Sequence, residues 1–251
     1  METRSEAERG RALAEQATVR LTAFTHPVAE ATTVRVRGAP LLPARACHEL
    51  RGPLTAARLG IHLASRPEVR TGSAPPLSAV ELELRRAGLA LEDLAAARHG
   101  ARAADRPEAF DLGELLRQAA AAWRPVAEAA GGVLRLEAPD GAALVRGDRL
   151  RLAQACGNLL ANAIEHGGGV VELRWRATMG SVRVEVCDLG PGLPSSISAL
   201  TARPRAGRGR RGRGLAIAAE IAGRHGGRLA AAPAPCGARL ALELPAIWVA
   251  A

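Results

Sequence analysis

Lysine and tyrosine are absent from the 251 residues, and aromatic side chains make up 2%. The 34 basic residues are therefore all arginine, against 25 acidic ones, a formal charge of +9. Arginine, alanine and glycine in such excess reflect a GC-rich coding bias, so the basic balance does not by itself point to nucleic acid. With so few aromatics, the stacking platforms that hold single-stranded nucleic acid are missing. No motif reads base edges, and no direct nucleic-acid partner is expected. No uncharged apolar run reaches the roughly 18 residues that a membrane-spanning helix needs. Membrane association is thus expected only through a partner, if at all. The N-terminal METRSEAERGRALAEQ carries both charge signs and no apolar segment, which is not the pattern of a secretory signal. Cys47, Cys156, Cys187 and Cys236 are far apart and form no CxxC pair. They are expected as reduced core thiols of a cytoplasmic protein, not as a disulfide framework or a zinc site. Apolar residues at 48% and charged residues at 24% predict a folded core.

The chain divides into three parts. Residues 1–40 are weakly patterned. Leu13, Ala17, Leu21 and Phe24 recur at helical spacing, and TTVRVR over 32–37 alternates like a short strand. Residues 41–104 read as a helical hairpin. Leu50, Leu54, Ala57, Ile61 and Ala64 form one apolar stripe; Leu77, Val80, Leu84, Ala87, Leu91 and Leu94 form a second with steps of three and four. Pro43 suits a first helical turn, whereas Pro53 should kink or open the first helix. One hairpin cannot bury both seams well, so either two hairpins pair into a four-helix bundle or the hairpin packs on its own C-terminal part. After a polar linker ending in DRP, residues 110–248 mix helices and strands. Residues 112–130 read as a helix stopped by Gly131 and Gly132, and VLRLEA as a strand. Asp148 can cap a helix running to His166. VVELRWRA and SVRVEVCD read as a hairpin, a helix follows from Leu215, and RLAAAP with ARLALELP closes the sheet. The order predicts an α+β fold: a helical hairpin, then an α/β sandwich with a mostly antiparallel mixed sheet.

Three stretches of this last region carry chemistry. In RLRLAQACGNLLANAIEH, Gln154, Asn158, Asn162 and His166 are spaced by four and share a helix face. Buried amides need partners, and a carboxamide oxygen can serve Mg²⁺ held together with nucleotide phosphates. A plain solvent-facing polar face is the alternative. Asp188 opens DLGPG at the end of a strand, where a carboxylate can accept from an exocyclic amine while glycines let the backbone approach a ring. RRGRGLAI leads glycines into a helix N-terminus, a phosphate-cradling arrangement. Each is weak alone.

In this order and spacing, NLLANA, DLGPG and GRGLAI resemble the asparagine box and two glycine boxes of the GHKL ATPases, whose ATP site is the Bergerat fold. The resemblance covers roughly residues 110–245. Upstream, CHELRGPLTAARLGI resembles the phosphoacceptor box of sensor histidine kinases, in a hairpin that would be their dimerization and phosphotransfer domain. The resemblance implies a protein histidine kinase of a two-component system, from a GC-rich bacterium. Such an enzyme phosphorylates its own histidine from MgATP and passes the phosphoryl group to an aspartate of a response regulator receiver domain. It implies His48 as nucleophile and Glu49 as proton acceptor. Asn162 is the implied Mg²⁺ ligand, supported by Asn158, and Asp188 the adenine-reading carboxylate. Gly190 and Gly192 would shape the pocket, and Gly212 and Gly214 would contact phosphates, with His166 available beside them. A homodimer is implied as well.

Some positions depart from the pattern. Hydrolytic relatives activate water with a glutamate one turn before the metal-binding asparagine; here that residue is Asn158, and an amide is no general base. Gly52 stands where a threonine or asparagine usually borders the phosphohistidine, which predicts an empty border and weak phosphatase activity. Glu165 replaces a basic residue and should either turn away from the phosphates or weaken binding. The lid, about residues 193–211, lacks a recognisable phenylalanine and holds Arg203, Arg205, Arg208, Arg210 and Arg211. These departures keep open a degenerate kinase acting by ATP binding or protein contact. A GHKL serine kinase of the anti-sigma type is a weaker alternative, because it would lack the hairpin.

Overall fold

A computed structural model of the chain describes residues 42–65, 74–99, 103–139, 141–178, 180–202 and 213–247, with side chains from Glu49 onward, save those of Arg98 and Arg213. The helix and strand expected within residues 1–40 lie outside the described residues.

Helix α1, Leu42–Ala64, begins with Pro43 in its first turn, where a missing N–H costs no hydrogen bond. It continues as α-helix through Pro53, so the expected interruption there does not end it. Helix α2, Leu77–Arg98, follows. The second helix packs against the α/β region, and Ala56, Ala79 and Leu82 of the hairpin join its core. Ala57, Val80, Ala87 and Leu89 are buried as well, Val80 facing Gly60 across the hairpin. The two seams therefore split. Leu54 and Ile61 of α1, and Leu77, Leu84 and Leu91 of α2, stay exposed, each seven residues from the next on its helix.

The α/β region opens with strand β1, Pro107–Asp111, and helix α3, Leu112–Ala129. Asp111 caps α3, accepting from Gly113 N at 2.9 Å. Strands β2, Val133–Glu137, and β3, Leu144–Asp148, lead into helix α4, Arg149–His166. Then come β4, Val170–Ala177, and β5, Ser181–Asp188, a short helix α5, Ile197–Thr201, helix α6, Arg213–Arg224, and strands β6, Arg228–Ala231, and β7, Arg239–Pro245. The main sheet has the order β2-β4-β5-β7-β6, with β2 parallel to β4 and the other pairs antiparallel. The element order thus predicts the mixed sheet correctly. Unanticipated was the ribbon of β1 and β3, which pair antiparallel away from that sheet. Its segments PEAFD and LVRGD carry proline, glycine and acid in place of apolar alternation, and only pairing between distant segments makes them strands.

Helices α3, α4 and α6 cover one face of the sheet. The core joins Leu115, Leu116 and Trp123 of α3, Leu152, Leu159 and Leu160 of α4 and Ile221 of α6 to Leu173, Trp175, Val184 and Leu242 beneath. Alternate residues of β4 (Val171, Leu173, Trp175) and of β5 (Val182, Val184, Val186) supply the inward rows, as the period of two requires.

Candidate functional site

The start of α4 is held on several sides. The Asp148 carboxylate accepts from Arg151 N at 3.0 Å and from Arg106 N at 2.8 Å. Its own backbone N–H donates to His225 Nε2 at 2.9 Å, so that nitrogen is the unprotonated one and Nδ1 donates to Ile221 O. The expected cap at Asp148 is present, and it also ties α4 to the end of α6. With Leu152, Leu159, Leu160 and Ala163 buried in the core, the polar face of α4 turns to a flank of the domain. There Asn158 Nδ2 donates to Gly214 O at 3.4 Å, bringing two of the expected site residues together. Asn162 is half-buried, and His166 is exposed beside Glu165, which likewise faces solvent.

Asp188 is the next inward position after Val182, Val184 and Val186, so the strand's own period aims a carboxylate under the helices. Asp188 is 7% exposed. Its Oδ1 accepts from Gly190 N and Ala238 N, both at 3.0 Å. Among the described residues nothing donates to Oδ2, which leaves that oxygen as an acceptor. Leu189 N donates to Gly167 O at 3.0 Å, fastening the strand end to the end of α4. A Cβ at Gly190 would overlap the carbonyl of His166. Gly192, with φ +82°, and Gly237, with φ +67°, take the left-handed backbone that side chains rarely adopt, and a Cβ at Gly237 would also overlap the Asp188 carbonyl. Asp188 and Gly190 thus meet the His166 end of α4, and Gly192 lies against Gly237. Gly167 and Gly237 belong to the same corner; sequence reasoning missed them, because neither lies in a motif.

The hairpin meets α3 and α4 through polar groups. Gln154 Nε2 donates to Glu49 Oε2 at 2.7 Å, both side chains being buried. Gln154 therefore does not lie on a solvent-facing stripe. Glu83, fully buried, pairs with Arg86 at 2.6 Å and accepts from Trp123 Nε1 at 3.2 Å. The Arg86 guanidinium lies 5.9 Å from the Trp123 ring centroid and fills the space that Gly157 leaves. The border of Gly52 is not empty, contrary to expectation: a Cβ there would stand 3.0 Å from Trp123 Cη2. The glycine admits the indole. His48 lies on α1, its side chain outside the described residues, as are Gly212 and the lid arginines. Part of the lid segment forms α5. The described thiols are free, and only Cys156 takes the expected core position. Cys156 is buried, and burial pushes its thiol up to about 12, whereas Cys187 is half-buried and Cys236 exposed. Among the described residues no three His, Cys, Asp or Glu side chains gather as a metal cage.

The family model of the histidine kinase-, DNA gyrase B-, and HSP90-like ATPases matches residues 147–247. The alginate biosynthesis sensor protein KinB of Pseudomonas aeruginosa is 33% identical over 213 residues, covering 80% of this chain and 36% of KinB. The chain spans between 12% and 52% of the length of the curated relatives it matches. The catalytic domain of histidine kinase ThkA superposes with a TM-score of 0.51 at 25% identity, covering 56% of this chain and 97% of that one. Full-length ShkA in complex with AMPPNP superposes with a TM-score of 0.54 at 27% identity over 84% of this chain and 46% of ShkA. No described helix is long and apolar enough to cross a membrane. Residues 147–247 thus form an ATPase domain of that family, and over 80% of its length the chain is similar to sensor histidine kinases.

Proposed function

We propose that the chain is a histidine protein kinase. It phosphorylates His48 from ATP and passes the phosphoryl group to an aspartate of a response regulator receiver domain. The observation that carries the reading is Asp188, with one oxygen held by two backbone amides and the other left to accept, beside the carboxamide face of α4. Oδ2 takes the adenine amine. A carboxylate accepts only, so it favours adenine over guanine at that edge. Asn162 offers a hard carboxamide oxygen. With no carboxylate cage among the described residues, this donor set fits Mg²⁺, which binds through few protein ligands and keeps phosphates and waters for the rest. When bound, Mg²⁺ neutralises charge on the phosphate oxygens.

Asn158 cannot deprotonate water, so ATP stays intact until an imidazole arrives. A ring nitrogen of His48 attacks the γ-phosphorus in line; an N–P bond forms, the bridging P–O bond breaks, and ADP leaves. Glu49 takes the imidazole proton. In the second step the aspartate carboxylate of the receiver attacks the same phosphorus and the N–P bond breaks. Residues 41–104 serve as the phosphotransfer hairpin and 110–248 as the ATP-binding domain, with 1–40 preceding them. The exposed heptad positions Leu54, Ile61, Leu77, Leu84 and Leu91 support a second copy completing a four-helix bundle.

The reading is tested by labelling the protein with γ-phosphate-labelled ATP, removing nucleotide, and adding a purified receiver domain. Label is expected on the protein first and on the receiver afterwards. Nucleotide binding without label on the protein would overturn kinase activity in favour of a degenerate, ATP-holding relative.

A further inference from the structure

The four-residue period of α4 begins one turn before the nucleotide-site residues, at Gln154. Its amide has a determined orientation. Glu49 and Arg151 flank it; a carboxylate can only accept and a guanidinium can only donate. Nε2 therefore donates to Glu49 Oε2 at 2.7 Å, while Oε1 accepts from Arg151 at 3.4 Å. Arg151 is itself fixed, because its NH2 donates to Asp93 Oδ1 of α2 at 2.7 Å. Glu49 is the residue after His48, and it comes 105 residues before Gln154. Three residues further along α1, Gly52 seats Trp123 of α3. The helix carrying His48 is thus registered against the ATP-binding domain at two points within one turn. From Gln154 to Asn162 is eight residues on one face, about 12 Å along the helix axis. A triphosphate reaching from one side and an imidazole from the other can bridge that interval.

We infer that Gln154 is a positioning residue for the transfer: through Glu49 it sets the phosphoacceptor helix in register with the nucleotide face of α4. It does so by holding Oε2 of Glu49, the residue next to His48. This rests on the reading of His48 and Glu49 given above. A buried Gln–Glu bond with a merely structural role would affect folding or nucleotide affinity. A positioning role affects the rate of transfer, and only while Glu49 is present.

The test is the single-turnover rate of label incorporation at saturating MgATP, with nucleotide affinity measured in parallel. It compares wild type, Gln154→Met, Gln154→Lys, Glu49→Gln and the double variant Gln154→Met/Glu49→Gln. Methionine keeps the length and loses the donor; the rate is expected to fall roughly 10- to 100-fold with nucleotide affinity unchanged. Lysine still donates to the carboxylate and should stay within a few-fold of wild type. In the Glu49→Gln background, Gln154→Met should cost little more. An unchanged or faster Gln154→Met enzyme, an equal loss in both backgrounds, or a loss in the lysine variant equal to that in methionine would overturn the inference and leave the kinase reading standing. Wild type that takes no label would instead remove the kinase reading, and the positioning role with it.

Discussion

Asp188 shows how one residue acquires a role from its place in a strand. The inward row of β5 is valine three times and then aspartate, so the residue that ends the row has core geometry and a polar end. Two backbone amides satisfy Oδ1, which makes the carboxylate tolerable where it is largely buried. Asp188→Asn retains that acceptor but can place an amide donor where, on the proposed reading, Oδ2 takes the adenine amine. Isothermal titration should show ATP affinity reduced roughly 5- to 100-fold, with discrimination against GTP diminished. Unchanged affinity would separate Asp188 from the base. Asp188 was legible because DLGPG states both the strand end and the glycine turn. Gly167 and Gly237 were not, because each matters through a close approach to Asp188 that only the folded backbone creates. Gly52 was legible as a departure but misread: nothing local to HELRGPLT announces that Trp123 will fill its border.

Among the elements, β4 and β5 announced themselves by alternation, and α4 by its capping aspartate and polar face. The ribbon of β1 and β3 had no such period. The outer face of the main sheet carries a further feature that the strand pattern does not reveal. Glu185 is buried, which alone would raise its carboxyl, yet hydrogen bonds from Arg183 and Arg174 outweigh that and hold it below the ordinary range. Glu243 on β7 is lowered too, chiefly by its hydrogen bond from Arg228. A carboxylate with a depressed folded value contributes stability that is present above the unfolded value of about 4.3 and is lost as pH falls through the folded value. Denaturant titrations should therefore show stability falling as pH drops below about 4.3, and falling less steeply in Glu185→Gln. Identical acid dependence in the variant would mean that the cluster contributes nothing to it.

At the scale of the whole molecule, two modules legible as separate motifs prove to share a polar boundary. Glu49, Glu83, Arg86, Arg151 and Gln154 are all buried where the hairpin meets α3 and α4. Sequence patterning could not pair them, because their spacing along the chain is long and each is polar on a helix. The opposite side of the hairpin keeps its heptad leucines exposed, and a second copy would cover them. Leu84→Glu should shift the protein from dimer to monomer in sedimentation equilibrium. A wild-type monomer at micromolar concentration would contradict the four-helix bundle. The central claim, that ATP bound beside Asp188 phosphorylates His48, is tested most directly by incubating wild type and His48→Gln with γ-labelled and, separately, α-labelled ATP. The account predicts acid-labile label from the γ-labelled nucleotide alone, on wild type alone, with His48→Gln still binding ATP. Equal γ-label on His48→Gln, or acid-stable label, would contradict it.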